Sequence, residues 1–145
     1  MGIGAAASVH RILVVDNEPD VCAVVGRALT RDPELVVRAA TSGPDAIRDA
    51  AAWLPHLILL DVTMPLMDGP ATLAELRRRP QTQAIPVVFL TALALSEDLR
   101  NFRSLGANGL IAKPFRPKEL RATVHRHLQD GCRPDAYLYQ TSIST

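Results

Sequence analysis

Residues 56–70 read HLILLDVTMPLMDGP. Leu57 through Leu60 form an apolar run without the alternation of a half-exposed strand, so a strand buried on both faces is predicted over 56–61. It stops on a carboxylate, Asp61, and Pro65, Gly69 and Pro70 then punctuate a loop. A helix follows from about Pro70 to Arg78. A doubly buried strand running through a loop into a helix suits a parallel sheet, whose neighbouring strands are joined by crossovers that are usually helical.

The same unit recurs on both sides. RILVVD (11–16) predicts a strand and Pro19 opens a helix to about Thr30, with Val21, Val24, Val25, Ala28 and Leu29 at helical spacing. ELVVRAA (34–40) predicts a second strand, and TSGPDAIRDAAAWL (41–54) a turn and helix with Ala46, Ile47, Ala50 and Leu54 on one face. IPVVFLTA (85–92) predicts a fourth strand. SEDLRNFRSLGA (96–107) predicts a fourth helix, capped by Ser96 and stopped by Gly106. GLIAK (109–113) predicts a short fifth strand, and residues 116–130 a last helix with Leu120, Val124 and Leu128 inward. Five strand–helix repeats with short connections imply an α/β fold with right-handed crossovers. Residues 1–10 read as a loose tail, 11–130 as the domain, and 131–145 as a C-terminal tail or linker.

The 145 residues carry a formal charge of +1, which supplies no field for nucleic acid or an anionic membrane. The Arg77–Pro80 run reads as the solvated end of a helix. Cys22 and Cys132 lack metal-site or disulfide-framework spacing and fit a reducing cytoplasm. The apolar runs are too short for a membrane span.

In an open parallel sheet, ligands bind beyond the carboxyl ends of the strands. Strand one ends at Asp16, strand three at Asp61, strand four at Thr91 and strand five at Lys113. Each alone has an ordinary explanation as a turn cap, a β-branched strand residue or a snorkelling lysine. Their conjunction does not. Two carboxylates about 4 Å apart repel by roughly 4 kcal/mol at an effective dielectric near 20, and a hard cation such as Mg²⁺ relieves that. An ammonium and a hydroxyl beside the ion are what a phosphoryl group needs, with Asp61 as nucleophile and aspartyl phosphate as product.

With ILVVDNEPD, SGPDAI, PHLILLDVTMPLMDG, IPVVFLTA and LGANGLIAKPF in this order, the chain resembles the receiver domains of two-component response regulators from about Arg11 to Asp130. The resemblance implies a flavodoxin-like (βα)5 fold of strand order 2-1-3-4-5 with helices on both faces. It implies that a sensor histidine kinase or phosphotransfer protein supplies a phosphoryl group to Asp61 with Mg²⁺. The implied metal set is Asp16, Asn17, Asp61 and the Thr63 carbonyl. The implied catalytic set is Asp61, Thr91 and Lys113, with Thr91 and position 110 as the switch. A cis Lys113–Pro114 bond and a small Ala92 beside the aspartate are further expectations. The fourth helix, fifth strand and fifth helix would form the face for a downstream protein, an output domain or a second copy. Direct nucleic-acid binding, membrane binding and an enzyme activity beyond its own phosphorylation and dephosphorylation are not expected.

Asn17 stands where the family usually has a second acid, and Glu18 is a candidate to compensate. Leu110 replaces the usual aromatic. Both favour the alternative of a pseudo-receiver, a binding module independent of phosphorylation. A haloacid-dehalogenase-type phosphatase would need an Asp at position 63, which is Thr63, and a flavin-binding relative would need a phosphate loop after strand one. Leu93, two residues after Thr91, removes a polar group that could orient a hydrolytic water, which implies a longer-lived phosphoryl state.

Overall fold

The computed structural model describes residues 9–92 and 101–130. Each apolar run becomes a strand: β1 (His10–Val15), β2 (Leu35–Ala40), β3 (Leu57–Asp61), β4 (Val87–Thr91) and β5 (Gly109–Ala112). They form one parallel sheet of order β2-β1-β3-β4-β5. Four helices are described: α1 (Pro19–Leu29), α2 (Gly43–Trp53), α3 (Gly69–Arg78) and α4 (Pro117–Asp130), the last being the fifth of the sequence reading. This is the expected flavodoxin-like arrangement.

The helix starts follow local chemistry. Pro19 opens α1, where a missing N–H leaves no bond unmade. The Ser42 side chain accepts from Asp45 N–H at 3.2 Å at the start of α2, and Asp68 accepts from Ala71 N–H at 2.9 Å at the start of α3. The strands then sort side chains by parity. Leu13, Val15, Ile58, Leu60 and Phe89 join α2 and α3 in one core layer. Ile12, Val14, Leu57, Leu59, Val88 and Leu90 join α1 and α4 in the other. Burying each such side chain fully stabilises the fold by about 1.5–3 kcal/mol. Because β1 and β3 are buried on both faces, their period-2 polarity signal is absent and the runs look continuously apolar.

Four readings change. Leu54, placed on the apolar face of the second helix, instead caps the end of α2 at φ 53° and is exposed. His10, assigned to the loose tail, belongs to β1: its N–H donates to Glu34 O at 2.8 Å and its ring meets His56 edge-on at 5.3 Å. The predicted fourth helix appears over 101–106 as successive turns, where Ser104 N–H and Leu105 N–H share Asn101 O and Ser104 Oγ competes for it. The rest of that helix, with Ser96 and Leu93, lies outside the described residues, as do 1–8 and 131–145. Gly106 does end the segment, at φ +102°. Finally, Arg77 of the basic run is not solvated but turns inward onto backbone carbonyls. Among the described residues, no helix is long and apolar enough to cross a membrane.

Candidate functional site

The register of the central strands sets the site. Val15 stands beside Leu60, so Asp16, the residue after β1, and Asp61, the last of β3, come side by side at the sheet edge. Asp16 N–H donates to Ala40 O at 3.1 Å and Val62 N–H to Leu90 O at 3.2 Å, which extends both ladders past the carboxylates. Asp16 is fully buried; Asp61 is 7% exposed. Asp16 Oδ1 accepts from Glu18 N–H at 2.9 Å, turning the chain into α1.

Lys113 follows β5, and its N–H donates to Thr91 O at 2.9 Å across the β4–β5 ladder. Its Nζ lies 2.9 Å from Asp16 Oδ2 and 3.5 Å from Asp61 Oδ1. One ammonium therefore bridges both carboxylates. The Lys113–Pro114 peptide is cis, as expected. Thr91 is 1% exposed at the end of β4, and Ala92 beside it is exposed.

The electrostatics follow from burial. Desolvation pushes the Asp61 carboxyl above its ordinary range, and the Asp16 charge adds to this; Lys113 and the Thr63 N–H pull the other way. Burial works against the Lys113 ammonium, yet the bond to Asp16 and the charges of Asp61 and Asp16 outweigh it, so its pKa is raised. Cys22 sits beneath the site with Sγ 3.5 Å from Asp16 O, and burial plus the Asp16 charge push its thiol up. That thiol is a core residue rather than a nucleophile.

The loop after Asp61 closes tightly. Gly69 N–H donates to Val62 O at 2.8 Å, and a Cβ on Gly69 would lie 2.5 Å from Asp61 O. Within the loop, Leu66 is fully exposed in the left-handed region at φ 70°. Asn17 and Thr63 flank the two acids at exposed positions, and Glu18 is exposed at the α1 cap. Leu110 is half-buried, pairs with Phe89 in the ladder and packs on the α2–α3 core layer.

Asp16, Asp61 and Lys113 thus meet directly, with Thr91 on the adjoining strand end. What sequence reasoning missed is the inward turn of Arg77, which no spacing rule distinguishes from a solvated arginine. A second group of titratable side chains, Asp32, Glu34 and His125, lies between the α1–β2 turn and α4. There His125 contacts Asp32, and Arg121 Nη1 donates to Ala28 O at 3.1 Å, tying α4 to the end of α1.

Comparison with known proteins agrees with this architecture. The family model for the response regulator receiver domain matches residues 12–125. A probable cyclic di-GMP phosphodiesterase of Vibrio cholerae is 36% identical over 129 residues, 89% of this chain but 29% of that relative. A response regulator of Synechocystis is 35% identical over 117 residues, covering 81% of this chain and 51% of the relative. The chain therefore spans about half or less of the length of these two relatives. Among solved structures, the chemotaxis protein CheY4 of Vibrio cholerae superposes with a TM-score of 0.75 at 28% identity, covering 81% of this chain and 98% of that one. From residue 12 to residue 125, the chain belongs to the response regulator receiver domain family.

Proposed function

We propose that the chain is a phosphoacceptor receiver, with Asp61 taking a phosphoryl group from the phosphohistidine of a sensor kinase or phosphotransfer protein. The observation that carries this reading is Lys113 Nζ held between Asp16 and Asp61 at 2.9 and 3.5 Å. An Asp61 oxygen attacks phosphorus, the P–N bond to the donor imidazole breaks, and the imidazole leaves with the electron pair and takes up a proton. Lys113, already paired with Asp61, meets the charge on the arriving phosphoryl oxygens. Thr91, at the adjacent strand end, supplies the hydroxyl donor.

The donor set fits a hard divalent cation: two adjacent carboxylates with little access to bulk water, one of them with a raised pKa, and Asn17 and Thr63 close to them in the chain. Mg²⁺ would be held by Asp16, Asp61 and the Thr63 carbonyl with Asn17 alongside, and when bound it supplies positive charge to the phosphoryl oxygens. On this reading the chain has no turnover beyond forming and losing its own acyl phosphate. It works in the cytoplasm, without membrane or direct nucleic-acid contact. Its output face is the 101–112 region with α4, offered to a downstream protein, an output domain or a second copy.

The test is incubation with Mg²⁺ and acetyl phosphate followed by intact mass. A gain of one phosphoryl group in the native chain and none in Asp61→Asn is expected. No gain in the native chain, or an equal gain in Asp61→Asn, refutes the reading. The exposed amide of Asn17 and the absence of an aromatic at Leu110 favour one second reading, a pseudo-receiver that binds its partner without phosphorylation. The same mass experiment separates the two.

A further inference from the structure

Arg78 and Arg79 are exposed and reach back to Glu75 at 2.9 and 3.7 Å, as end-of-helix arginines do. Arg77 behaves differently. Its Nε and Nη2 both donate to Gly106 O, at 3.1 and 2.9 Å, and Nη2 also reaches Asn108 Oδ1 at 3.2 Å. Its Nη1 donates to Gln83 O at 3.1 Å and Ile85 O at 2.8 Å. No carboxylate is among these partners, so carbonyl and amide dipoles meet the guanidinium charge. A planar fork with donors in fixed directions can do this; an ammonium cannot.

The contacts join three stretches of chain. Asn108 Oδ1 accepts from Val87 N–H at 2.9 Å, and Asn108 N–H donates to Val87 O at 2.7 Å, so the entries to β4 and β5 are fastened together. Arg77 fastens both to the C-terminal end of α3. The other end of α3 starts at Gly69, pressed against the backbone of Asp61 and Val62. One rigid helix of 10 residues therefore touches the phosphoacceptor backbone at its start and the entry to β5 at its end.

We propose that Arg77 couples the state of Asp61 to the position of residues 106–110, a role for which the side chain of Leu110 has no swinging ring. The inference rests on the phosphoacceptor reading above. A purely structural clamp would hold the same bonds in every state and contribute only to stability. A coupling residue must change its environment when Asp61 is loaded, because coupling between two sites is reciprocal.

The experiment follows amide and Arg77 Nε–H resonances of the full chain as beryllofluoride, a phosphoryl mimic, is added with Mg²⁺. In the native chain the Arg77 Nε–H and the amides of Gly106, Asn108, Gly109 and Leu110 should all shift on loading. In Arg77→Lys, shown folded by its thermal melt, beryllofluoride should still bind while the 106–110 shifts fall at least about threefold, in keeping with couplings of fivefold or more. Equal 106–110 shifts in Arg77→Lys overturn the proposal. A native Arg77 Nε–H that stays in place on loading overturns it without any variant. Absence of beryllofluoride binding to the native chain overturns the phosphoacceptor reading and this one with it, a result distinct from binding without transmission.

Discussion

Replacing glycine by alanine adds one methyl group, and at three positions of this chain it should have three different outcomes. At Gly69 the new Cβ would lie 2.5 Å from Asp61 O and 2.8 Å from Val62 Cα. Both obstacles are backbone, and Val62 is fixed by its bonds to Leu90 O and from Gly69 N–H. Relief requires moving the start of α3 or the end of β3. Overpacking of this kind costs about 1–3 kcal/mol, and the helix propensity of alanine returns at most about 1 kcal/mol. A net loss of about 1–2 kcal/mol is expected, together with a displaced Asp61. At Gly26, inside α1, the nearest atom is Val37 Cγ1 at 4.0 Å, so alanine should stabilise by about 0.5–1 kcal/mol. At Gly106 the contacts begin at 3.5 Å, which is ordinary, but φ is +102°, so the loss of about 1 kcal/mol or more is conformational. Urea midpoints at constant m-value should rank Gly26→Ala above the native chain and both other variants below it. Acetyl phosphate labelling should fall in Gly69→Ala and persist in Gly26→Ala. A Gly69→Ala chain of native stability and native labelling would refute the argument that α3 is pressed against the phosphoacceptor.

Three further outcomes follow from single groups. His56 Nδ1 accepts from Arg11 N–H at 2.9 Å, and burial, Arg11 and His10 lower its pKa. The unfolded chain thus binds the proton more readily, so stability present above about pH 6.5 is lost on acidification through that value; His56→Asn should flatten this slope, and an unchanged slope in a pH series of melts would assign it elsewhere. Leu66→Asn, at a fully exposed left-handed position, should stabilise by about 0.5 kcal/mol because Asn tolerates that conformation; a lower denaturation midpoint would contradict it. Asn17→Asp should tighten Mg²⁺ binding by adding a charged oxygen beside Asp16, and equal affinity in a metal titration would show that position 17 does not touch the ion.

The strands, most of the helix faces and the convergence of Asp16, Asp61 and Lys113 were legible because each rests on local chemistry: apolar runs, caps, and polar residues at strand ends; the strand order came from the resemblance to receiver domains. Strand ends shifted by a residue or two, since the ladder closes on backbone bonds that side-chain type does not encode. His10 was misread because a polar residue at the sheet rim looks like tail until its partners, Glu34 and His56, are known. Arg77 was misread for the same reason: its acceptors at Gly106 and Asn108 lie 29 and 31 positions along the chain.

The strand order has a consequence for how freely each half of the site can move. β1 and β3 are interior strands, so Asp16 directly follows, and Asp61 ends, a strand laced on both sides. β5 is an edge strand, so Leu110 lies in, and Lys113 directly follows, a strand with one ladder only. The acidic half is thus an anvil, while the cationic half can lean away by breaking the bonds of a single seam. Amide exchange should record this as slow protons on β1 and β3 and faster ones on β5, so that adjustment to a new charge at Asp61 falls on the edge that also borders the proposed output face.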